Sequence, residues 1–302
     1  VSNIILLLLC FCLGIVFRKS NKFPENTPQV LNTFVLNVSL PALVLRHIHE
    51  IQVSANIILP AIMPWIIFTI ASGFFFTLKY FQLISPKTAV CLVLTAGLGN
   101  TSFVGIPLLE TYLGEESIGY AIVSDQLGTF LVLSFPGLMI ATLSEGKSWN
   151  LSSLLKRVLT FAPVQALLLA IFLRPFPYPE WFILILQRLG DTLSPLALVS
   201  VGFLLNLRTL NGYKKDLAIG LVFKLIFSPI IIMLLYRGFV PERLMYETIV
   251  LESAMAPMIT STIVAIDRNL SPHLASLMLG LGIPISFITT YFFLYLLKAG
   301  IL

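Results

Sequence analysis

Apolar runs of about 20 residues recur from one end of this chain to the other, parted by short charged segments, and this pattern leaves few folds open. In hydrocarbon every backbone N–H and C=O must be paired inside the protein, so a spanning segment is either a helix or a strand of a closed barrel. Runs of this length fit helices, because barrel strands need only about half as many residues. Ten runs can be marked, at 1–17, 28–47, 57–81, 87–113, 117–143, 151–173, 179–205, 214–236, 243–266 and 271–297. Only 11% of the residues are charged, against about 25% in a soluble domain, so little of the chain is expected outside the bilayer. The first run is read as a retained helix, because Arg18, Lys19 and Lys22 follow its apolar core, whereas the charge of a signal peptide precedes it.

The net charge of +5 does not point to nucleic acid, because the basic residues lie in the short loops. With the amino terminus outside, the inner loops hold Arg18, Lys19, Lys22, Lys79, Lys87, Lys147, Lys156, Arg157, Arg208, Lys214, Lys215 and Arg268. The outer ones hold Arg46, Arg174, Arg237, Arg243 and Lys298. An excess above two to one marks the cytoplasmic side and leaves both termini outside. Each half has five spans, an odd number, so the second half enters from the opposite face. The expected fold is therefore an all-α integral membrane protein of ten transmembrane helices in two inverted five-helix repeats. The repeats are residues 1–143 and 151–302, joined by a cytoplasmic linker, 144–150.

Two of the runs are flawed as helices. The fourth contains Gly97-Leu98-Gly99-Asn100-Thr101-Ser102-Phe103-Val104-Gly105-Ile106-Pro107. Glycine weakens a helix and proline removes a backbone donor. A break survives in a membrane only inside protein or beside an aqueous cavity. Kinked helices packing through small residues are the structural alternative. The ninth run repeats the pattern with Glu252-Ser253-Ala254-Met255-Ala256-Pro257-Met258-Ile259-Thr260-Ser261-Thr262. Breaks at corresponding positions of two halves mark a transporter binding site. The residues expected to bind substrate are Asn100, Thr101, Ser102, Gly105, Pro107, Ala256, Pro257, Thr260 and Ser261. Half-helix amino termini aim N–H groups and a positive dipole end at the cavity, which suits a carboxylate.

Ionisable residues deep in such spans are costly and are functional candidates. Asp125 has Gln126 beside it and Thr129 at i+4, on one face of a regular helix. Glu252 precedes the second break by one turn. Asn100, Thr101, Asp125, Thr129 and Glu252 form the expected coupling site, for a small hard cation such as Na⁺ or for a proton. Lys224 is the expected counter-charge, to Asp191 or to the substrate anion, with a structural pair or a snorkelling stem as the alternative. Arg188 and Asp191, at i,i+3, are expected to pair. His47, His49 and His273 read as solvated residues at helix ends. Cys10, Cys12 and Cys91 read as small buried hydrophobes. No HExxH, Walker or nucleophile-elbow pattern appears, so no enzyme is expected and no cofactor beyond the coupling ion.

At these residues the sequence resembles the auxin efflux carrier family, which includes bacterial permeases for malate and other organic acids. Asn100-Thr101-x-x-x-Gly105-Ile106-Pro107-Leu108-Leu109 is similar to the family's most specific signature. Leu36 to Leu43, ending Leu-Pro-Ala-Leu, resembles its second helix. Leu189-Gly190 with Pro195-Leu196-Ala197-Leu198 and Gly202 resembles its seventh, and Lys224 with Pro229 its eighth. The resemblance covers essentially the whole chain. It implies two inverted repeats with helices 4 and 9 crossing at their breaks, an architecture shared with the bile acid:sodium symporters, divided into a scaffold and a transport domain. Ala256 stands before Pro257 where many relatives have methionine there, Thr260-Ser261-Thr262 replaces a frequent asparagine, and the long loop of many plant carriers is absent. These departures favour the bacterial permease branch.

The expected function is secondary active transport of an organic anion, a carboxylate such as malate, coupled to Na⁺ or H⁺. An auxin-like aromatic carboxylate carrier or an anion channel is the alternative. The expected partners are the small anion and membrane lipid, with a homodimer through the scaffold helices and no nucleic acid. The expected location is the cell membrane, a bacterial inner membrane. Cysteines placed at 144–150 should react with impermeant maleimide only from the cytoplasmic side, and labelling only from outside would reverse the orientation.

Overall fold

The computed structural model describes residues 2–20, 22–50, 58–144, 150–204 and 212–299. Lys147 and Arg208, and all of the expected linker but its two end residues, lie outside these. Among the described residues the chain is helical throughout, and its β-structure is a single antiparallel bridge between Gly99 and Pro257. Six helical runs are long and apolar enough to cross a membrane, Thr27–Ile48, Ile58–Tyr80, Glu115–Ser144, Glu180–Ser200, Lys214–Tyr236 and Pro272–Lys298. Pro86–Ala96 and Ala162–Leu173 are apolar but shorter. The fourth and ninth runs are each split in two, as expected. The sixth, expected as one helix, is also split, because Phe161 is extended (ψ 119°) just before Ala162-Pro163 starts the next helix. The seventh carries a turn at Asp191 and Thr192, where the Thr192 hydroxyl is 2.7 Å from that of Ser39.

Proline explains much of the local geometry. It lacks the N–H that would bond to i−4, and its ring crowds that carbonyl. Here the turn before several prolines widens to i→i−5 bonding. Leu40 N–H donates to the Val35 carbonyl ahead of Pro41, Ile106 to Thr101 ahead of Pro107, and Ser228 to Phe223 ahead of Pro229. The kink expected at Pro41 thus takes the form of a π-helical turn, Val35–Ser39. A further π-turn, Ser124–Thr129, has no proline of its own. Such turns are rare inside α-helices and gather at functional sites.

Packing divides by contact. Helix Ser2–Ser20 lies along Leu193–Leu204, and Leu40–Glu50 packs on Ala162–Leu173 and Glu180–Gly190. Ser200 Oγ donates to Asn32 Oδ1 at 2.6 Å within this group. Ile58–Tyr80 packs on the Ser124–Thr129 turn, where Trp65 Nε1 donates to the Leu127 carbonyl. Pro272–Lys298 packs on Ile259–Asp267 and Pro86–Ala96. Large apolar side chains such as Leu9, Phe172, Ile288 and Tyr295 point outward, as lipid-facing residues do.

Two single-residue expectations fail. Cys12 is exposed beside Leu9, Leu13 and Val16, whereas Cys10 and Cys91 are buried. The span that holds Cys12 is apolar all round and so has no periodicity that separates its lipid face from its packed face. His47 is buried, not solvated, because it lies beside a cavity between helices.

Helices Ser2–Ser20 and Leu193–Leu204 approach backbone to backbone at Gly14 and Gly202. A Cβ on Gly202 would lie 2.0 Å from the Phe11 carbonyl oxygen, and one on Gly14 would lie 2.2 Å from that of Val199. Gly202→Val should therefore lose most monodisperse protein on size exclusion, because backbone cannot move aside as a flexible side chain can. Gly73→Ala, which meets no atom within 4 Å in the interior of helix Ile58–Tyr80, should leave the melting temperature unchanged or raise it slightly. Equal behaviour of the two variants would contradict the packing.

Candidate functional site

Helix Pro86–Ala96 ends where Gly97 donates to the Val93 carbonyl, and the chain then runs unwound to Asn100. Helix Arg243–Ser253 likewise gives way to unwound backbone before Ile259. The two unwound strands meet. Asn100 N–H donates to the Ala256 carbonyl at 2.7 Å, and Met258 N–H to the Leu98 carbonyl at 3.1 Å. This makes Gly99 and Pro257 a non-hydrogen-bonded antiparallel pair. Neither N–H of that pair is needed, which is why proline can occupy one side without leaving an acceptor unmatched.

Asn100 then starts the next helix. Its Oδ1 accepts from Phe103 N–H at 3.1 Å and Val104 N–H at 3.3 Å, as an N-cap does. Asp125 holds the same turn from a neighbouring helix. Its Oδ1 accepts from Thr101 Oγ1 and Ser102 Oγ, both at 2.5 Å, and its Oδ2 from Gln126 Nε2 at 2.6 Å. A carboxylate here complements the positive end of the half-helix. Thr129 does not join in, and its buried Oγ1 has no hydrogen-bond partner. The π-turn Ser124–Thr129 accounts for that, because a wider turn rotates i+4 off the face that α-helical spacing assigns it.

On the other side of the pair lie the remaining deep charges. Glu252 and Lys224 are each 1% exposed. Lys224 Nζ donates to the Ser253 carbonyl at 2.9 Å, not to Asp191, which lies instead on a cavity elsewhere in the fold. Neither carboxylate oxygen of Glu252 has a hydrogen-bond partner, although the charges of Asp125 and Lys224 both bear on it. Two glycines make room. A Cβ on Gly99 would be 3.1 Å from Lys224 Nζ, and one on Gly105 would be 2.9 Å from Glu252 Oε2. Close approach at Gly105 is therefore already taken by the protein's own carboxylate.

Of the other candidates, Pro107 is buried one turn into the second half-helix, and Ala256 contributes its carbonyl to the strand pair. Ser261 and Thr262 hydroxyls donate back to the Met258 carbonyl at 3.1 and 2.8 Å. Thr260 is half-buried. Helix Ile259–Asp267 opens at Met258 with no side-chain cap, unlike its counterpart at Asn100. Buried polar atoms without a partner also include Asn100 Nδ2, Ser124 Oγ and Gln126 Oε1. Arg188 and Asp191 form no ion pair, although Asp191 N–H still donates to the Gln187 carbonyl at 2.8 Å as in a helix.

A cavity of about 310 Å³ lies apart from the crossing, lined by Arg46, His47, Glu110, Gln187 and Asp191 among others. Arg46 Nη2 and Glu115 Oε2 pair at its edge at 2.9 Å. Sequence reading missed it because its residues come from five separate runs, 1–17, 28–47, 87–113, 117–143 and 179–205, which no local pattern brings together.

The family model described as membrane transport protein matches residues 1–294. An uncharacterized transporter of Methanothermobacter thermautotrophicus is similar, at 25% identity over 283 residues and 91% of each chain. An uncharacterized transporter of Methanocaldococcus jannaschii is also 25% identical over 283 residues, covering 88% of this chain and 90% of its own.

The Gly105–Glu252 contact can be tested directly. Gly105→Ala should lower the melting temperature, and Glu252→Ala in the same chain should recover part of the loss. The coupling expected for residues in contact is on the order of 1 kcal/mol. Strict additivity of the two changes would show that they do not touch.

Proposed function

The chain belongs to the auxin efflux carrier family of membrane transport proteins, and on that premise we propose that it is a secondary active transporter carrying a small organic anion by alternating access. The reading includes ten spans in two inverted five-helix repeats, 1–143 and 151–302, with both termini outside and the protein in the cell membrane. The helices around Ser2–Ser20 and Leu193–Leu204 serve as scaffold, through which a homodimer forms. The crossing strands move with the other group.

The observation that carries this is the pairing of the two unwound segments, with buried polar groups left free around it. In a low-dielectric interior an unpaired polar atom is costly, and such atoms persist where a ligand or ion completes them. The uncapped start of Ile259–Asp267 and the free Asn100 Nδ2 suit a carboxylate, since both offer donors. The free oxygens of Glu252, with Asp125 near, suit a proton or a small cation. Malate or a related acid is the chemical class these groups fit.

Asn100 and Asp125 separate the roles. Asn100→Asp keeps the cap acceptor and removes the amide donor, so it should fold normally while carboxylate uptake into proteoliposomes falls at least about tenfold, the equivalent of one charged hydrogen bond. Asp125→Asn should retain downhill exchange of the same acid and lose accumulation driven by an imposed proton or Na⁺ gradient. Wild-type accumulation by Asp125→Asn would remove it from the coupling site. Uptake that does not saturate with substrate would argue for a channel.

A further inference from the structure

Lys224 poses a question that the transport reading leaves open, because a lysine is costly to bury and the structure buries it completely. It is not a snorkelling side chain, since Nζ ends on the Ser253 carbonyl and the residue is 1% exposed. Nor does it form a direct ion pair, since both oxygens of Glu252 lack a hydrogen-bond partner.

Its place is the end of a broken helix. The final carbonyls of a helix have no partner within it and carry the negative end of its dipole. At the end of Arg243–Ser253, Ala254 N–H folds back to the carbonyls of Val250 and Leu251, and Met255 N–H to that of Glu252. The Ser253 carbonyl is the next in line, and it accepts from Lys224. One residue before it stands the buried Glu252 carboxylate. A helix carboxyl end, a bare carbonyl and a carboxylate together make the oxygen-rich negative site that a hard cation occupies.

The rest of the fold is shaped to bring the ammonium there. Lys224 lies in the π-turn Phe223–Phe227. Gly99, on the opposite strand of the crossing, leaves the space Nζ fills.

We propose that the Lys224 ammonium is the resident cation of the crossing, held by the chain in the position that a free Na⁺ would otherwise take beside Ser253 and Glu252. The site then needs no metal ion, which leaves the proton as the coupling ion of the two that Glu252 and Asp125 could take, and the ammonium stays in place whether or not cargo is bound. This rests on reading the crossing as the transport site, but the test below reads stability alone, so it can fail or succeed independently of what the protein carries.

The purified full-length protein is melted in NaCl, KCl and choline chloride at equal ionic strength. The wild type should melt at one temperature in all three. Lys224→Ala should melt lower in choline chloride, and Na⁺ or n-propylammonium should restore at least about half of the loss by binding the emptied position. Three results would overturn the proposal. One is a Na⁺-specific stabilisation of the wild type that Glu252→Gln removes. Another is a wild-type melting temperature for Lys224→Ala in choline. The third is a loss in Lys224→Ala that neither Na⁺ nor n-propylammonium restores. If Lys224→Ala is not recovered folded in any of these media, the conservative pair decides. Folded Lys224→Arg with unfolded Lys224→Met supports a required charge, and any other result overturns it.

Discussion

Two backbone hydrogen bonds, Asn100 to Ala256 and Met258 to Leu98, hold together the part of the molecule on which everything else converges. Without them, two unwound segments would each carry free amides and carbonyls in the interior of a membrane protein, at a cost of several kcal/mol per group. By pairing with each other they tolerate the loss of helix, and a proline fits on one strand because that position asks for no donor. Four half-helix ends are thereby brought to one place. Their dipoles are what the surrounding side chains then answer.

The answers differ between the breaks. At the first, the amino end is closed by Asn100 and by Asp125 acting through Thr101 and Ser102. At the second, the carboxyl end is closed by Lys224, while the amino end at Ile259 keeps no side-chain cap. A negative group meets a positive end and a positive group meets a negative end, as the dipoles require. The asymmetry leaves one set of helix N–H groups without a cap in a buried setting, and that is where a carboxylate fits in the proposed mechanism.

Widened turns do part of this work. Thr101, Ser102, Asp125, Gln126 and Lys224 all lie in π-turns. An extra residue in a turn changes the angular relation of everything after it, so side chains reach directions that α-helical spacing forbids. Prolines 107 and 229 follow two of these turns, where the freed carbonyl makes the i→i−5 bond the better choice.

The sequence alone was enough for the membrane-protein class, for the break after Gly97 and for the matching break near Pro257, because apolar length and the positions of glycine and proline are local properties. The acids at 125 and 252 and the lysine at 224 stood out for the same reason, as charges inside apolar runs. Which groups they touch was only partly legible. Asp125 was expected in one site with Thr101 and Thr129; it accepts from Thr101 and Ser102 and not from Thr129, since a π-turn has no sequence period of its own. Lys224 was expected to face Asp191 or the substrate anion, or to pair or snorkel as a structural residue, and it bonds to a backbone carbonyl, a partner that no side-chain pattern encodes. That Gly105 lies against Glu252 and Gly99 against Lys224 follows from tertiary packing alone. Local chemistry determines where a chain can bend and where it carries charge. Only tertiary packing decides which dipole, carbonyl or carboxylate each charge will meet, because those partners sit on other helices, 24 residues away for Asp125 and Thr101 and 29 for Lys224 and Ser253.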